Sequence, residues 1–148
     1  MFGVASDSLI WEQHPIKTRS TFKGFQEFFK ESLASKGALM ILERKTERPV
    51  GSSRFKIIDE EKKVVEIGWT FISREYWGGT YNRAIKRLMI NHALSEFERV
   101  VLYIDESNLR SQRAAEKIGA VKIPPGNFSW VPDRPSGKVT YGISNPLT

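Results

Sequence analysis

The chain has 148 residues, 40% hydrophobic and 27% charged, a length and balance that suit one soluble folded domain. Its formal net charge of +6 favours an anionic partner; because the lysines and arginines are scattered, a phosphate-rich cofactor ranks ahead of nucleic acid. Cysteine is absent and His14 and His92 are the only histidines, which excludes disulfides, thiolate metal sites and cysteine nucleophiles and leaves no metal expected.

No apolar run reaches the ~18 residues of a membrane span. The start MFGVASDSLIWEQ lacks the basic region and apolar core of a signal peptide, so a cytoplasmic protein without membrane contact is the default expectation.

In chain order, Asp7–Trp11 reads as a short helix. Thr18, Ser20 and Thr21 offer N-cap hydroxyls for a helix running to Leu33, with Phe22, Phe25, Phe28, Phe29 and Leu33 on one face. Gly37 fits the stop or the loop after it. Ala38–Leu42 is a short apolar strand and KTERP, Lys45–Pro49, a polar turn. Val50–Ile58 and Val64–Ile72 are further strands, joined through the polar Asp59–Lys62. Three successive antiparallel strands are the natural arrangement.

A Gly-Gly turn then opens a helix over Tyr81–Phe97. Its apolar stripe reads Ala84, Ile85, Leu88, Met89, His92, Ala93 and Phe97, with Arg83, Lys86 and Arg87 off it. His92 thus reads as a core histidine with one hydrogen bond. Arg99–Ile104 is a β-branched strand, Asn108–Ile118 a helix closed by Gly119, and Val121–Ile123 the start of a strand. PPGNFSWVPDRPSG is a long loop before the last strand, Lys138–Ser144. The class is α/β (α+β): a mixed, mainly antiparallel sheet flanked by helices, containing one strand–helix–strand crossover.

Chemistry concentrates in three places. In Tyr76-Trp77-Gly78-Gly79-Thr80-Tyr81-Asn82 the glycines permit a tight turn, and the following amides are first-turn helix donors that suit a pyrophosphate. Glycine needed for turn geometry alone is the competing reading. On the preceding strand, Glu66-Ile67-Gly68-Trp69 places a glycine where a bulge would splay this strand from Arg99–Ile104 and open backbone groups to an extended amide-bearing ligand. Third, Asn108-Leu109-Arg110-Ser111 opens a helix, and simple N-capping explains the asparagine equally well. Glu66, flanked by apolar residues, suits a base near neutrality or a solvent-facing strand position. His14, Trp11 and Trp130 are candidates for walling an acceptor pocket, each with an ordinary core, lid or surface reading beside it.

Together the EIGW strand, the WGG turn with its helix and the NxxSxxxxxKxGA segment resemble, in order and spacing, the GNAT superfamily of acyl-CoA N-acetyltransferases, nearest its ribosomal-protein-alanine acetyltransferase (RimJ/RimL-like) branch. The likeness covers roughly Gly37 to Val121. It implies that acetyl-CoA is the co-substrate and that a primary amine, on a protein N-terminus or a small molecule, is the acceptor. Phe71 and Ile72 would pair with pantetheine through their backbone. Gly78, Gly79, Thr80, Tyr81 and Asn82 would cradle the pyrophosphate. Asn108 would bond the pantetheine arm and Ser111 would lie near the sulfur. Arg83, Arg110 or Arg113 would meet the 3′-phosphate, and Glu66 would take the amine proton.

The chain departs from the family's Arg/Gln-x-x-Gly-x-Gly/Ala signature at Glu75 and Thr80. Ala115 stands where many members carry a tyrosine that protonates the thiolate, which passes that role to Ser111, to water or to nothing. No strand is found before Asp7, where the family usually has one, so the sheet lacks it or a partner supplies it; a homodimer is one way to cover such an edge. A non-catalytic CoA-binding module and a basic nucleic-acid-binding domain are the alternatives, in that order.

Overall fold

The computed structural model describes residues 1–126 and 135–147. Its elements are α1 (Phe2–Ala5), α2 (Phe22–Ala34), β1 (Ala38–Leu42), β2 (Pro49–Asp59), β3 (Val64–Ile72), α3 (Tyr81–Leu94), β4 (Arg99–Asp105), α4 (Leu109–Lys117), β5 (Val121–Ile123) and β6 (Lys138–Ile143). Short 3-10 turns at Ser8–Trp11, Lys17–Ser20 and Arg74–Tyr76 fill the connections.

The six strands form one sheet in the order β1-β2-β3-β4-β6-β5. All neighbours are antiparallel except β3 and β4, which α3 joins by a parallel crossover. This is the mixed, mainly antiparallel sheet that the sequence predicts. Residues 1–37 hold helices and turns only, so no strand precedes α2 and β1 is an edge strand.

Apolar clusters cover both faces of the sheet. Val65, Ile67, Val100 and Tyr141 pack with Met89 and Ile90 of α3 and Ala115 of α4. On the other face, Ala5, Trp11, Phe25 and Phe28 pack around Phe71. Strand alternation alone would place Phe71 on the same face as Val65 and Ile67. It reaches the opposite face because β3 has one extra residue: Ser52 faces Phe71 but Arg54 faces Gly68, two steps on β2 against three on β3.

Two helix faces differ from expectation. In α2, Phe25, Phe28 and Ser32 are buried, whereas Phe22, Phe29 and Leu33 are exposed. In α3 the buried row is Met89, Ile90 and Ala93, while Leu88 is 71% exposed. The stripe is rotated by about one residue because the helix turns Lys86, not Leu88, toward the sheet, a choice hydropathy cannot anticipate. His92 is correspondingly exposed, its ring 6.0 Å from that of Phe55, and is not the core histidine expected.

Candidate active site

Pairing between β3 and β4 stops at Glu66↔Val101, although β3 continues to Ile72 and β4 to Asp105. The two strands therefore splay at the bulge that Gly68 signals. Trp69, in the bulge, has φ +52°, a left-handed conformation that a bulky side chain adopts only when its surroundings enforce it. The Arg54 guanidinium lies over its ring at 4.5 Å.

The Phe71 carbonyl oxygen is turned toward β2: a Cβ on Gly51 would stand 2.3 Å from it. Trp77 Nε1 donates to the Ile72 carbonyl at 3.0 Å. Of the backbone groups at Phe71 and Ile72, the Phe71 carbonyl thus faces β2 and the Ile72 carbonyl is already bonded. Alternation turns the Ile72 N–H toward the gap, where it is the backbone donor on offer.

Beside the splay lies a cavity of about 400 Å³ lined by His14, Lys56, Ile58, Glu66, Trp69, Tyr103, Pro135 and Lys138. Glu66 is 8% exposed. Burial pushes its carboxyl from 4.5 up to about 7, against the opposing pull of Lys56, Lys138 and Arg54. The same burial, with Glu66 nearby, raises the Tyr103 phenol. His14 is held down to about 4 by burial and by Arg19, so it is neutral at pH 7. Its Nδ1 accepts from the Ile16 N–H at 2.9 Å, and its Nε2 lies 3.1 Å from Arg19 Nη1. A neutral imidazole has one lone-pair nitrogen, so only one of these contacts is a hydrogen bond. Trp11 belongs to the core beneath α2, where its Nε1 donates to the Ala5 carbonyl at 2.7 Å. Trp130 lies outside the described residues.

The turn before α3 has the features of an anion cradle. Gly78 has φ +70°, Gly79 is exposed with open space where a Cβ would point, and Thr80 caps α3 without a side-chain hydrogen bond to the first-turn amides. Tyr81 is exposed, with its ring edge-on to Tyr76 at 4.7 Å, and Asn82 is half-buried. Arg83 lines a smaller cavity of about 80 Å³ with Arg87 and Lys117, a basic cluster fed by two helices. Arg113 is exposed. Arg110 is committed elsewhere: it stacks over Trp77 at 4.1 Å and donates to the Ile10 carbonyl at 2.8 Å.

Asn108 caps α4, its Oδ1 accepting from the Ser111 N–H at 3.1 Å, as the capping reading requires. Ser111 sits in the first turn of α4 and does not line the Glu66 cavity, so the structure does not bring these two together. Ala115 is buried in the core.

Lys86 escaped the sequence reading. Its Nζ donates to Thr70 Oγ1 at 2.8 Å, and Thr70 Oγ1 lies 2.7 Å from Ser53 Oγ, which donates to the Gly68 carbonyl at 3.3 Å. This chain of bonds ties α3 to the bulge. Burial lowers the lysine to about 8, so the folded state resists its charged form below that pH. Lys86→Met keeps the stem and removes the ammonium. We expect a raised Tm at neutral pH, where that resistance is relieved, with acetyl-CoA binding weakened about tenfold as the bulge loses its anchor. Parallel melting and calorimetric titration check the two effects.

The model described as Acetyltransferase (GNAT) domain matches residues 2–121. The uncharacterized protein YkkB of Bacillus subtilis (strain 168) is 37% identical over 62 residues, 40% of this chain and 36% of that protein, so the match spans little more than a third of that relative's length. A solved acetyltransferase (GNAT family) from Bacillus anthracis superposes with a TM-score of 0.68 at 19% identity, covering 97% of this chain and 86% of that one. A spermidine N-acetyltransferase from Vibrio cholerae, solved in complex with CoA and spermine, gives 0.65 at 11% identity, covering 95% and 84%. At such identities the structural likeness is one of fold, and no helix among the described residues is long and apolar enough to cross a membrane. The family match over residues 2–121 reaches from the N-terminal helices through the splayed strands, the Gly-Gly turn and α4, and on it the chain belongs to the GNAT acetyltransferase family.

Proposed function

We propose that the protein transfers an acetyl group from acetyl-CoA, its co-substrate, to a primary amine by direct attack in a ternary complex. The observation that carries this is Glu66: a buried carboxyl at about 7, in a cavity that opens beside the end of β3–β4 pairing. A base of that strength is half-ionised at neutral pH and close to optimal for accepting a proton there.

The residues present fit the co-substrate. Gly78 and Gly79 leave room for a phosphate against the uncapped start of α3, and the splay leaves the Ile72 amide unpaired toward an extended chain. In this reading Gly78, Gly79 and the amides from Thr80 to Arg83 hold the pyrophosphate. Arg83, Arg87 and Lys117 hold the 3′-phosphate, and Asn108 reaches the pantetheine arm with its Nδ2. The amine nitrogen forms the new C–N bond as the C–S bond breaks, the ammonium proton passes to Glu66, and the thiolate leaves. The Ile72 N–H, the backbone donor facing the gap, would stabilise the developing oxyanion. Positioning and desolvation of the amine supply the remaining rate, and no covalent enzyme intermediate is needed.

The solved relative complexed with CoA and spermine supports CoA use in this fold. The test is calorimetric titration with acetyl-CoA, followed by thiol release with a panel of amines. Binding in the micromolar range with amine-dependent thiol release is the expected result. Binding without release from any amine would leave a CoA-binding module instead, and no binding by the folded protein would remove both readings.

A further inference from the structure

The cavity around Glu66 carries more positive than negative charge. Lys56 and Lys138 line it, and Glu66 is the one carboxylate among its described lining residues. Lys138 is partly balanced by Asp105 at 3.6 Å. Lys56 is exposed and has no ion pair among the described residues. It stands directly across from Glu66 in the β2–β3 register, so both side chains leave the same face of the sheet. Behind the Trp69 wall lies Arg54, buried, bonded to Ser32 Oγ and with its Nε unpartnered. Arg19, also buried, lies 4.5 Å from the Phe28 ring next to His14, and His14 is neutral. Once Glu66 accepts a proton, nothing in the described lining offsets the Lys56 ammonium.

A cation-rich pocket disfavours a polyamine, whose remaining ammonium groups would meet Lys56 and Lys138. It favours an acceptor that carries its own negative charge beside the amine. The cavity volume, about 400 Å³, suits a molecule of amino-acid size. Building on the acetyltransferase reading, we infer that the acceptor is a small amine bearing an anionic group, with the amine directed at Glu66 and the anion at Lys56 and Lys138. The lysines act as compact point charges without the planar fork of arginine, so they take a carboxylate or a phosphate.

The test compares kcat/KM for matched acceptors: alanine against alaninamide, 2-aminoethyl phosphate against ethanolamine, and spermidine. The anionic member of at least one pair is expected to exceed its neutral partner by about tenfold, a charge-assisted hydrogen bond's worth, with spermidine the poorest. The pair that shows the preference identifies the anion. For alanine the preference must also outrun the lower basicity of alaninamide, which by itself leaves more of the amide in the reactive neutral form. Lys56→Met should shrink the preference by raising KM for the anionic member relative to its neutral partner, with acetyl-CoA affinity unchanged. Equal rates within both pairs, spermidine as the best acceptor, or a preference that survives in both Lys56→Met and Lys138→Met would overturn the inference while acetyl transfer stands. If no amine is turned over, acetyl transfer itself fails. Titration of alanine against alaninamide, and of 2-aminoethyl phosphate against ethanolamine, then decides the pocket: tighter binding of an anion supports it, and equal binding in both pairs sinks it.

Discussion

Glu66→Gln is expected to lower kcat by at least about 100-fold while acetyl-CoA affinity stays within about twofold, because amide and carboxylic acid have the same shape and only the proton acceptor is lost. The wild-type kcat/KM should fall as pH drops below about 7, where Glu66 takes up its proton, and this limb should vanish in the variant's residual rate.

Stability moves the other way. A carboxyl raised from 4.5 to about 7 by burial binds its proton more tightly in the folded state. Between those two values the folded protein holds more protons than the unfolded chain, so stability declines as pH rises, and the cost is complete above about 7. That displacement corresponds to at most about 3 kcal/mol. Glutamine carries no such cost. The variant should therefore melt higher than wild type above about pH 7 and converge with it near 4.5. Thermal melts across this range, run beside the rate profile, separate a lost base from a damaged fold. Full activity in the Glu66→Gln variant would remove Glu66 from the chemistry, whereas a lower Tm with lost activity would assign the loss to the fold. Such an inverse relation between stability and activity is what a buried ionisable base costs its fold.

The second large effect lies at the Gly-Gly turn. Gly79→Glu should abolish measurable acetyl-CoA binding, a loss of about 100-fold or more, without harming the fold. A Cβ at Gly79 meets nothing within 4 Å, so the side chain has space. A carboxylate there also meets the positive end of the α3 dipole, worth about 0.3–1 kcal/mol in favour of the folded state. The same field that would hold a phosphate is then satisfied by the protein's own anion, which repels the ligand. Titration calorimetry and a melt on one preparation check both halves. Retained binding would move the pyrophosphate away from the start of α3. Gly78 is the wrong position for this test, since φ +70° makes any side chain there strained regardless of ligand.

These expectations rest on features of unequal legibility. The strands, the crossover, the Gly-Gly turn and the Asn108 cap are local: each follows from period-two apolar runs, a glycine pair or a capping side chain within a few residues. They read correctly from the sequence, as did a bulge at Gly68. The inward faces of α2 and α3 did not. Phe22, Leu33 and Leu88 are apolar yet exposed, and Lys86 is polar yet tucked beneath β3, because a helix's orientation is set by what it packs against.

The site divides in the same way. Glu66 was identifiable as a carboxylate on an apolar strand, but its burial is decided by β2, β4 and β6, which close around it from distant parts of the chain. Lys56, Tyr103 and Lys138 carry no motif. They meet Glu66 only because strand register brings three other strands level with it. Backbone direction at Phe71 and Ile72 was equally out of reach, since one inserted residue reverses which groups face the gap. Residue types and their spacing thus specify the family, a candidate anion cradle and a candidate base. Long-range strand pairing alone decides the charge of the Glu66 cavity and the proton affinity of that candidate base, because both depend on which distant groups share its low-dielectric surroundings.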